Sequence, residues 1–517
     1  MSLGNTSCVA LVGLNGHRVD VQADLGGGLP GMTLLGLPDA SLQEARDRVR
    51  SAARNAGVPL SPRRLIINLV PAALPKRGPS FDLAILIAAL AADSVLRVPP
   101  GVVFLGELSL DGSLRPLAGI LPSVLAAQRQ GFRRCVVPAA NLEEAGLVPG
   151  VEVRGYEHVS DLLLELGVPR EKLRWPPVQP RREPDNATGV DAARGDGDRL
   201  DGKDLSEVVG QPVGRYALEV AAAGGHHVLL TGPPGAGKTM LAERLPGLLP
   251  LLGDEDSVEA TCVRSLGGIP VTGLVRRAPF ESPHHTVSTA ALVGGGSGVP
   301  RPGAASLAHA GVLFLDEAPE FASRTLDALR EPLESGMLTL HRAAGTARYP
   351  ARFQLVMAAN PCPCGKRSRE CECPAIVRRR YWARLSGPLM DRVDLRINVP
   401  EVEVAAMVRM QGGESSAQVR ERVQAARARQ ARRWAKHGVA LNARIPGAVL
   451  RSAELGLKGA ARSHLETVAK ELALTGRGVD RVLRIAWTLA DLGGKERPDA
   501  THVQGAADLR GTPAAAA

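Results

Sequence analysis

Long apolar runs are missing from this chain of 517 residues. The longest, residues 83–92, is about half of what a helix needs to cross a bilayer. No basic stretch followed by an apolar one opens the sequence, so a secretory leader is not expected and the protein is read as cytoplasmic. Aromatic residues are only 3% of the chain, which argues against nucleic-acid binding built mainly on base stacking. Seven cysteines are too few for a secreted disulfide framework. Three of them, Cys8, Cys135 and Cys262, are scattered, and the other four are clustered. Acidic residues fall short of basic ones, 53 against 63, leaving a net charge of +10. That excess suits a polyanionic partner and says nothing about fold. With 44% hydrophobic and 22% charged residues, wholesale disorder and collagen-like repeats are excluded. At roughly 150 residues per domain, the length predicts about three domains.

The clearest boundary is residues 176–203, rich in Pro, Gly, Asp and Arg and almost without large apolar side chains. Such a segment buries too little surface to offset its ordering entropy and reads as a flexible linker. In the front part, residues 1–175, the run RLIINLV (64–70) reads as a buried strand and residues 81–92 as a buried helix. GVVFLGELSL (101–110) reads as a strand ending at a hairpin signal, Asp111-Gly112. A helix ended by Gly131 and a short strand at 135–137 complete a compact mixed α and β domain. After the linker, HVLLT (227–231), GVLFL (311–315) and residues 353–359 are apolar strands that each deliver polar residues at their C-terminal ends. That pattern describes a parallel sheet with a site along one edge. Residues 204–400 are assigned to this core and 401–517 to a helical, Arg-rich lid and tail.

Gly232-Pro233-Pro234-Gly235-Ala236-Gly237-Lys238-Thr239 matches G-x-x-x-x-G-K-[ST] in full, between a strand and a helix. Glycines let backbone N–H groups wrap phosphates, and the helix N-terminus adds its dipole. Lys238 is then expected on the β- and γ-phosphates of ATP and Thr239 on Mg2+. Asp316-Glu317 closes the second strand. Adjacent acids there are costly without a cation or proton between them. The Asp is assigned to Mg2+ and the Glu to the attacking water. Asn360, ending the third strand, is placed to orient the same water; a turn-forming Asn before Pro361 is the alternative.

Cys362, Cys364, Cys371 and Cys373 supply four thiols in two close pairs. Soft ligands in a short loop suit a tetrahedral, structural Zn2+. An iron–sulfur cluster, free thiols or a disulfide are the alternatives. Seven basic residues lie between 420 and 436 (Arg420, Arg422, Arg427, Arg429, Arg432, Arg433, Lys436), and Val419, Val423 and Ala426 share one helical face. This reads equally as a solvated basic side of an amphipathic helix or as a DNA contact.

The order of P-loop, Asp-Glu, strand-terminal Asn and helical lid resembles an AAA+ ATPase. The segments PHHTVSTAALVGGG (283–296), LAHAGVLFLDEAPEF (307–321), AANPCPCG (358–365), GMTLLGLPD (31–39) and IINLVPAALPKRG (66–78) resemble the magnesium-chelatase-like ComM/YifB family. The resemblance covers essentially the whole chain. It implies an α/β fold with a Lon-protease-like α+β front domain, a P-loop core with a parallel sheet, and a helical lid.

It also implies a homo-hexameric ring in which an arginine of one subunit completes its neighbour's site. The matching segment, residues 387–394, makes Arg392 that arginine, or else a structural residue paired with Asp391 or Asp394. A guanidinium on developing phosphoryl charge is worth about 10³–10⁵ in rate. Arg477 matches the lid's second sensor arginine, with Arg481 and Arg484 as rivals. Residues 338–350 alternate around Ala-Gly-Thr and resemble the pre-sensor hairpin of the helicase-like branch, with His341, Arg342 and Arg348 placed to track phosphates or merely solvated. Arg379 and Arg380, beside the four-cysteine loop, are further DNA candidates. Ser80 falls where Lon-type proteases carry their nucleophile, but Leu121-Pro122 stands where the partner lysine is expected, and Lys76 belongs to another position of the motif. Without a base, a serine hydroxyl is a poor nucleophile.

The function implied is an ATP-driven DNA motor or helicase. It is expected to promote branch migration on single-stranded or branched DNA during natural transformation, with other recombination proteins as potential partners and no membrane. The alternative is a metal-insertion motor of the magnesium-chelatase type. Such motors work with a partner carrying a D-x-S-x-S metal site, and this sequence has no such motif.

Overall fold

The computed structural model describes residues 3–36, 40–74, 76, 78–176, 202–296, 300–342, 345–366, 371–402 and 413–511. Most of the expected linker, 177–201, lies outside the described residues.

The front domain is built on a seven-stranded sheet. Its members are β1 (Gly4–Val12), β2 (Asn15–Gly26), β3 (Gly31–Leu35), β4 (Arg64–Val70), β5 (Val102–Phe104), β8 (Arg134–Pro138) and β9 (Glu152–Tyr156). The order is β3-β4-β2-β1-β5-β8-β9, with β1/β2 and β2/β4 antiparallel and the other pairs parallel. The helix Asp82–Ala92 packs on β1 and β2 and is buried almost throughout, as a helix apolar on every side after Asp82 must be. The run 101–110 is not one strand. It breaks at Gly106, after which β6 (Glu107–Leu108) pairs with β7 (Leu114–Arg115) in a separate hairpin. Gly106 donates its N–H to the Ser80 carbonyl at 3.1 Å and packs tightly against Leu83 and Leu114, so the chain turns out of the large sheet there.

The core region after the linker carries a second, all-parallel sheet. It comprises β10 (Val228–Thr231), β11 (Phe280–Glu281), β12 (Val312–Leu315), β15 (Gln354–Ala359) and β16 (Leu395–Asn398), in the order β11-β12-β15-β10-β16. β12 and β15 are buried at every position, which explains their continuous apolar runs. β13 (Met337–Arg342) and β14 (Gly345–Pro350) form the antiparallel hairpin expected from the alternation.

The C-terminal helices Ser416–Trp434, Gly459–Glu471, Gly476–Leu492 and Ala500–Arg510 share one apolar core with the β10 sheet. Trp434 and Trp487 meet edge to face, with centroids 5.5 Å apart. The front domain docks on the core through its helix Ile120–Arg129, which lies on the core helix Asp254–Leu266. The Glu144 carboxylate accepts the Leu121 N–H at 3.0 Å and also the Ser265 hydroxyl across that junction. Among the described residues, no helix is long and apolar enough to cross a membrane.

Candidate nucleotide site

The site forms where three neighbouring strands end. β10 delivers the turn Gly232–Gly237, β15 delivers Asn360, and β12, next to β15, delivers Asp316 and Glu317. The turn needs glycine in a literal sense. Gly235 and Gly237 have φ of 77° and 88°, and a Cβ on Gly232 would overlap the Val399 carbonyl oxygen. The helix Lys238–Leu248 starts directly behind it, with Gly237 as its N-cap, so the first N–H groups of the helix face the turn.

Lys238 is buried, and its ammonium donates to the carbonyls of Gly232 (2.7 Å) and Pro233 (2.9 Å) and to Asn360 Oδ1 (3.0 Å). Burial holds this lysine below its ordinary range, against the attraction of Asp316 and Glu317. The Thr239 hydroxyl donates to Asp316 Oδ2 at 2.8 Å, and Asp316 Oδ1 accepts the Glu317 N–H at 2.9 Å. Thr239 and Asp316, assigned from separate motifs to one cation, are therefore in direct contact. Glu317 itself sits in the left-handed region (φ 49°), half exposed, with a carboxylate oxygen 3.3 Å from His285 Nδ1. His285 was not singled out from the sequence, although the motif at 283–296 contains it. Gln211 was missed as well; it donates to the carbonyls of Ala236 (3.1 Å) and Pro400 (2.5 Å) and ties the turn to the strand behind it.

The arginines separate clearly. Arg477 lies in the first turn of the lid helix Gly476–Leu492, is 72% exposed, and has only a loose 3.8 Å pair with Asp391. Its rivals are committed elsewhere: Arg481 bonds Asp394 at 2.6 Å inside the protein, and Arg484 donates to the Ile445 carbonyl. Arg392 is mostly buried. Its partners are Glu334 and the Pro388 carbonyl, not Asp391 or Asp394 as the structural alternative had it. Those two aspartates are taken by the lid arginines.

Around the site, β14 alternates outward and inward, with Arg348 exposed between buried Ala347 and Tyr349. Arg342 pairs with Gly345 beside the tip, and residues 343–344 lie outside the described residues. His341 Nδ1 lies 3.0 Å from the Thr346 hydroxyl. Arg379 and Arg380 are exposed on the helix Ala375–Trp382, which Trp382 anchors by donating to the Pro361 carbonyl.

The four cysteines converge, with all their sulfurs within 4.8 Å of one another although residues 367–370 lie outside the described residues. Cys362 Sγ is 2.8 Å from Cys364 Sγ and 3.2 Å from Cys371 Sγ, and hydrogen bonding from Cys362 brings Cys364 down to about 7. A tetrahedral zinc with bonds of about 2.3 Å sets its sulfurs roughly 3.8 Å apart, so this set fits such an ion after a small expansion.

Five side chains of the basic run 420–436 are spent inside the protein, while Arg432 and Lys436 are exposed. Arg422 pairs with Glu219 and Glu414, and Arg433 with Asp491. Arg420, Arg427 and Arg429 donate to the carbonyls of Gly247, Ala222 and Asp491. These five side chains fasten the helix to the core and to the rest of the lid.

In the front domain, Lys76 is fully buried and spends its ammonium on the carbonyls of Gly36, Leu74 and Pro71. Leu121 is buried against the domain junction.

A P-loop between strand and helix, an acid pair ending a neighbouring strand, a polar residue on the strand between and an arginine-bearing helical lid define an ATPase of the AAA+ class. Family models agree. "Magnesium chelatase, subunit ChlI" matches residues 204–407, "Subunit ChlI of Mg-chelatase" residues 21–141, and "Magnesium chelatase, subunit ChlI C-terminal" residues 413–510. The chain is 48% identical over 519 residues to an uncharacterized protein of Mycobacterium tuberculosis, covering 99% of each. It is 41% identical to the uncharacterized protein YifB of Escherichia coli, over 99% of this chain and 97% of that one. With the competence protein ComM of Haemophilus influenzae it shares 39% identity, over 99% and 98% of the two chains. The front region is also similar to Lon protease, at 31% identity with the Mycolicibacterium smegmatis protein over 31% of this chain and 22% of that one. The chain belongs to the magnesium-chelatase-like ComM/YifB family.

Proposed function

We propose that this protein is a ring-forming, ATP-driven motor acting on single-stranded or branched DNA, in the manner implied for a competence protein. The observation that carries the reading is one edge of one sheet. Lys238, Thr239, Asp316, Glu317 and Asn360 meet there, and an arginine-bearing hairpin (β13 and β14) lies between β12 and β15 in the chain. Thr239 and Asp316 would hold Mg2+, which when bound neutralises phosphate charge. Lys238 exchanges its carbonyl partners for the β- and γ-phosphates, Glu317 polarises the attacking water, and Asn360 orients it. Arg477 from the lid and Arg392 of an adjacent subunit take up the developing charge. Arg342 and Arg348 grip phosphates, with Arg379 and Arg380 adding to the grip. The four cysteines hold a structural Zn2+ that shapes the loop before Arg379, since four thiolates leave no open position for chemistry.

The metal-insertion reading has in its favour the chelatase descriptions of the matching family models. Against it stands the competence protein ComM, which matches along nearly the whole chain. The test is ATP turnover and dissociation of a four-way junction. Arg342→Ala with Arg348→Ala should keep DNA-free turnover, lose most junction dissociation, and shallow the log–log salt slope of duplex binding by about 0.9 per lost contact. Glu317→Gln should bind ATP and scarcely hydrolyse it. A wild-type protein that neither binds DNA nor turns over faster with it would favour metal insertion instead.

A further inference from the structure

We infer that Glu334 is a positioning residue for Arg392, a latch that holds the arginine inside its own subunit until the β13–β14 hairpin moves. The inference rests on the proposed role of Arg392 toward a neighbouring subunit's nucleotide. For that role the guanidinium has to leave its own chain, and here it does not. It is about nine-tenths buried, one terminal nitrogen on the Glu334 carboxylate and the other on the Pro388 carbonyl. Its Nε is buried with no hydrogen-bond partner among the described residues. A guanidinium has five donors in a fixed fork, and one left dry is a cost that a better-placed anion would remove. The stored position is therefore stable enough to be adopted and poor enough to be left.

What makes the contact a latch is where Glu334 sits. It lies on the short helix Arg330–Ser335, two residues before Gly336 ends that helix and β13 begins. The joint is stiff. The Ser335 hydroxyl, with one proton to donate, lies in reach of the carbonyls of Glu331 (3.0 Å) and Met337 (2.9 Å) and accepts the Met337 N–H (3.1 Å), while Ala351, past the far end of the hairpin, donates to the Gly336 carbonyl at 2.8 Å. Both strands of the hairpin thus close on the residue pair next to Glu334, so a displacement of the hairpin carries the carboxylate with it. On the opposite side, the loop bearing Arg392 is held to the lid by Asp394 with Arg481, with Asp391 and Arg477 only loosely paired beside it. Arg392 thus lies between contacts to the lid helix that carries Arg477 and a contact to the base of the hairpin. Glu334 is 65% exposed at its side chain, so a small movement suffices to give it to solvent.

The geometry thus makes release of Arg392, and with it the neighbour's hydrolysis, depend on a hairpin loaded with a polyanion. The experiment compares DNA-free and DNA-stimulated ATP turnover of the full-length wild-type protein, Glu334→Gln, Arg392→Ala and the double variant, with Glu334→Asp as the conservative control. Glu334→Gln should raise the DNA-free rate about fivefold, the factor that one partly exposed ion pair is worth at the top of its usual range, and should shrink the stimulation by DNA by the same factor. Glu334→Asp should restore part of the stimulation. Arg392→Ala should lose turnover with or without DNA, and the double variant should match it. If Arg392→Ala turns over normally, the arginine's role in the neighbouring site is wrong and the latch falls with it. If Arg392→Ala is dead while Glu334→Gln has the wild-type DNA-free rate, the arginine's role stands and the latch alone is refuted. An activation by Glu334→Gln that persists without Arg392 also refutes it, since Glu334 would then act elsewhere.

Discussion

Asp394 ties the core to the lid through a buried ion pair, and Asp394→Asn measures how much that pair contributes. Its carboxylate is fully buried, bonded to Arg481 of the lid helix at 2.6 Å and to His226 Nδ1 at 3.1 Å. His226 passes the network on to the Thr488 hydroxyl at 2.8 Å. Burial by itself would raise this acid; the charge of Arg481 and the contact with His226 outweigh it and hold the carboxyl well below the usual carboxylate range. Breaking a buried pair by removing one charge costs about 3–5 kcal/mol, because the other charge stays buried without a counterion. Asparagine keeps the size and one acceptor, which places this variant at the lower end, about 3 kcal/mol. For a core and lid of roughly 300 residues, whose unfolding entropy is about 0.65 kcal/mol/K, that lowers the melting temperature by about 4–5 °C in calorimetry at neutral pH.

The sign of the pH dependence follows. A carboxyl depressed in the folded state stabilises fully above its unfolded value of about 3.9 and loses that contribution as pH falls toward the folded value. The gap between wild type and variant should therefore be widest at neutral pH and narrow below about pH 4. Adding Arg481→Met removes the stranded charge, so the double variant should melt above Asp394→Asn alone. A loss of under about 1 kcal/mol, the size of a surface pair, or a double variant whose loss equals the sum of the singles, would refute the account.

Two further outcomes test separate parts of the molecule. Purified protein should carry about one zinc per chain for a four-thiolate site, and Cys364→Ser should lower that occupancy and weaken DNA binding through the adjoining helix, measured by elemental analysis and a binding titration; metal-free protein with normal stability and activity would remove the ion. Ser80→Ala should leave ATP turnover and DNA binding unchanged, and a serine-directed probe should not label Ser80, because Leu121 is apolar and Lys76 is held by three carbonyls; stoichiometric Ser80-dependent labelling would show that another base activates it.

Much of this protein was legible without coordinates, for a physical reason. A phosphate-binding turn needs glycines, one lysine and one hydroxyl at adjacent positions, and a parallel strand buried on both faces reads as an unbroken apolar run. Gly232 to Thr239, Asp316, Asn360 and the strands that end in them could therefore be read from local order alone. The alternation that builds β13 and β14 and the pairing of the four cysteines are local in the same sense. What the chain order could not disclose is who meets whom across it. Whether the arginines between 420 and 433 face solvent or clamp helices depends on Glu219, Ala222 and Asp491, which lie far away in sequence. That Arg481 is engaged inside the protein depends on Asp394 lying under the lid helix, and Arg392 is held by Glu334, 58 positions earlier. A charged side chain's role is set by the partner that desolvates and neutralises it, and only the tertiary fold brings that partner within reach.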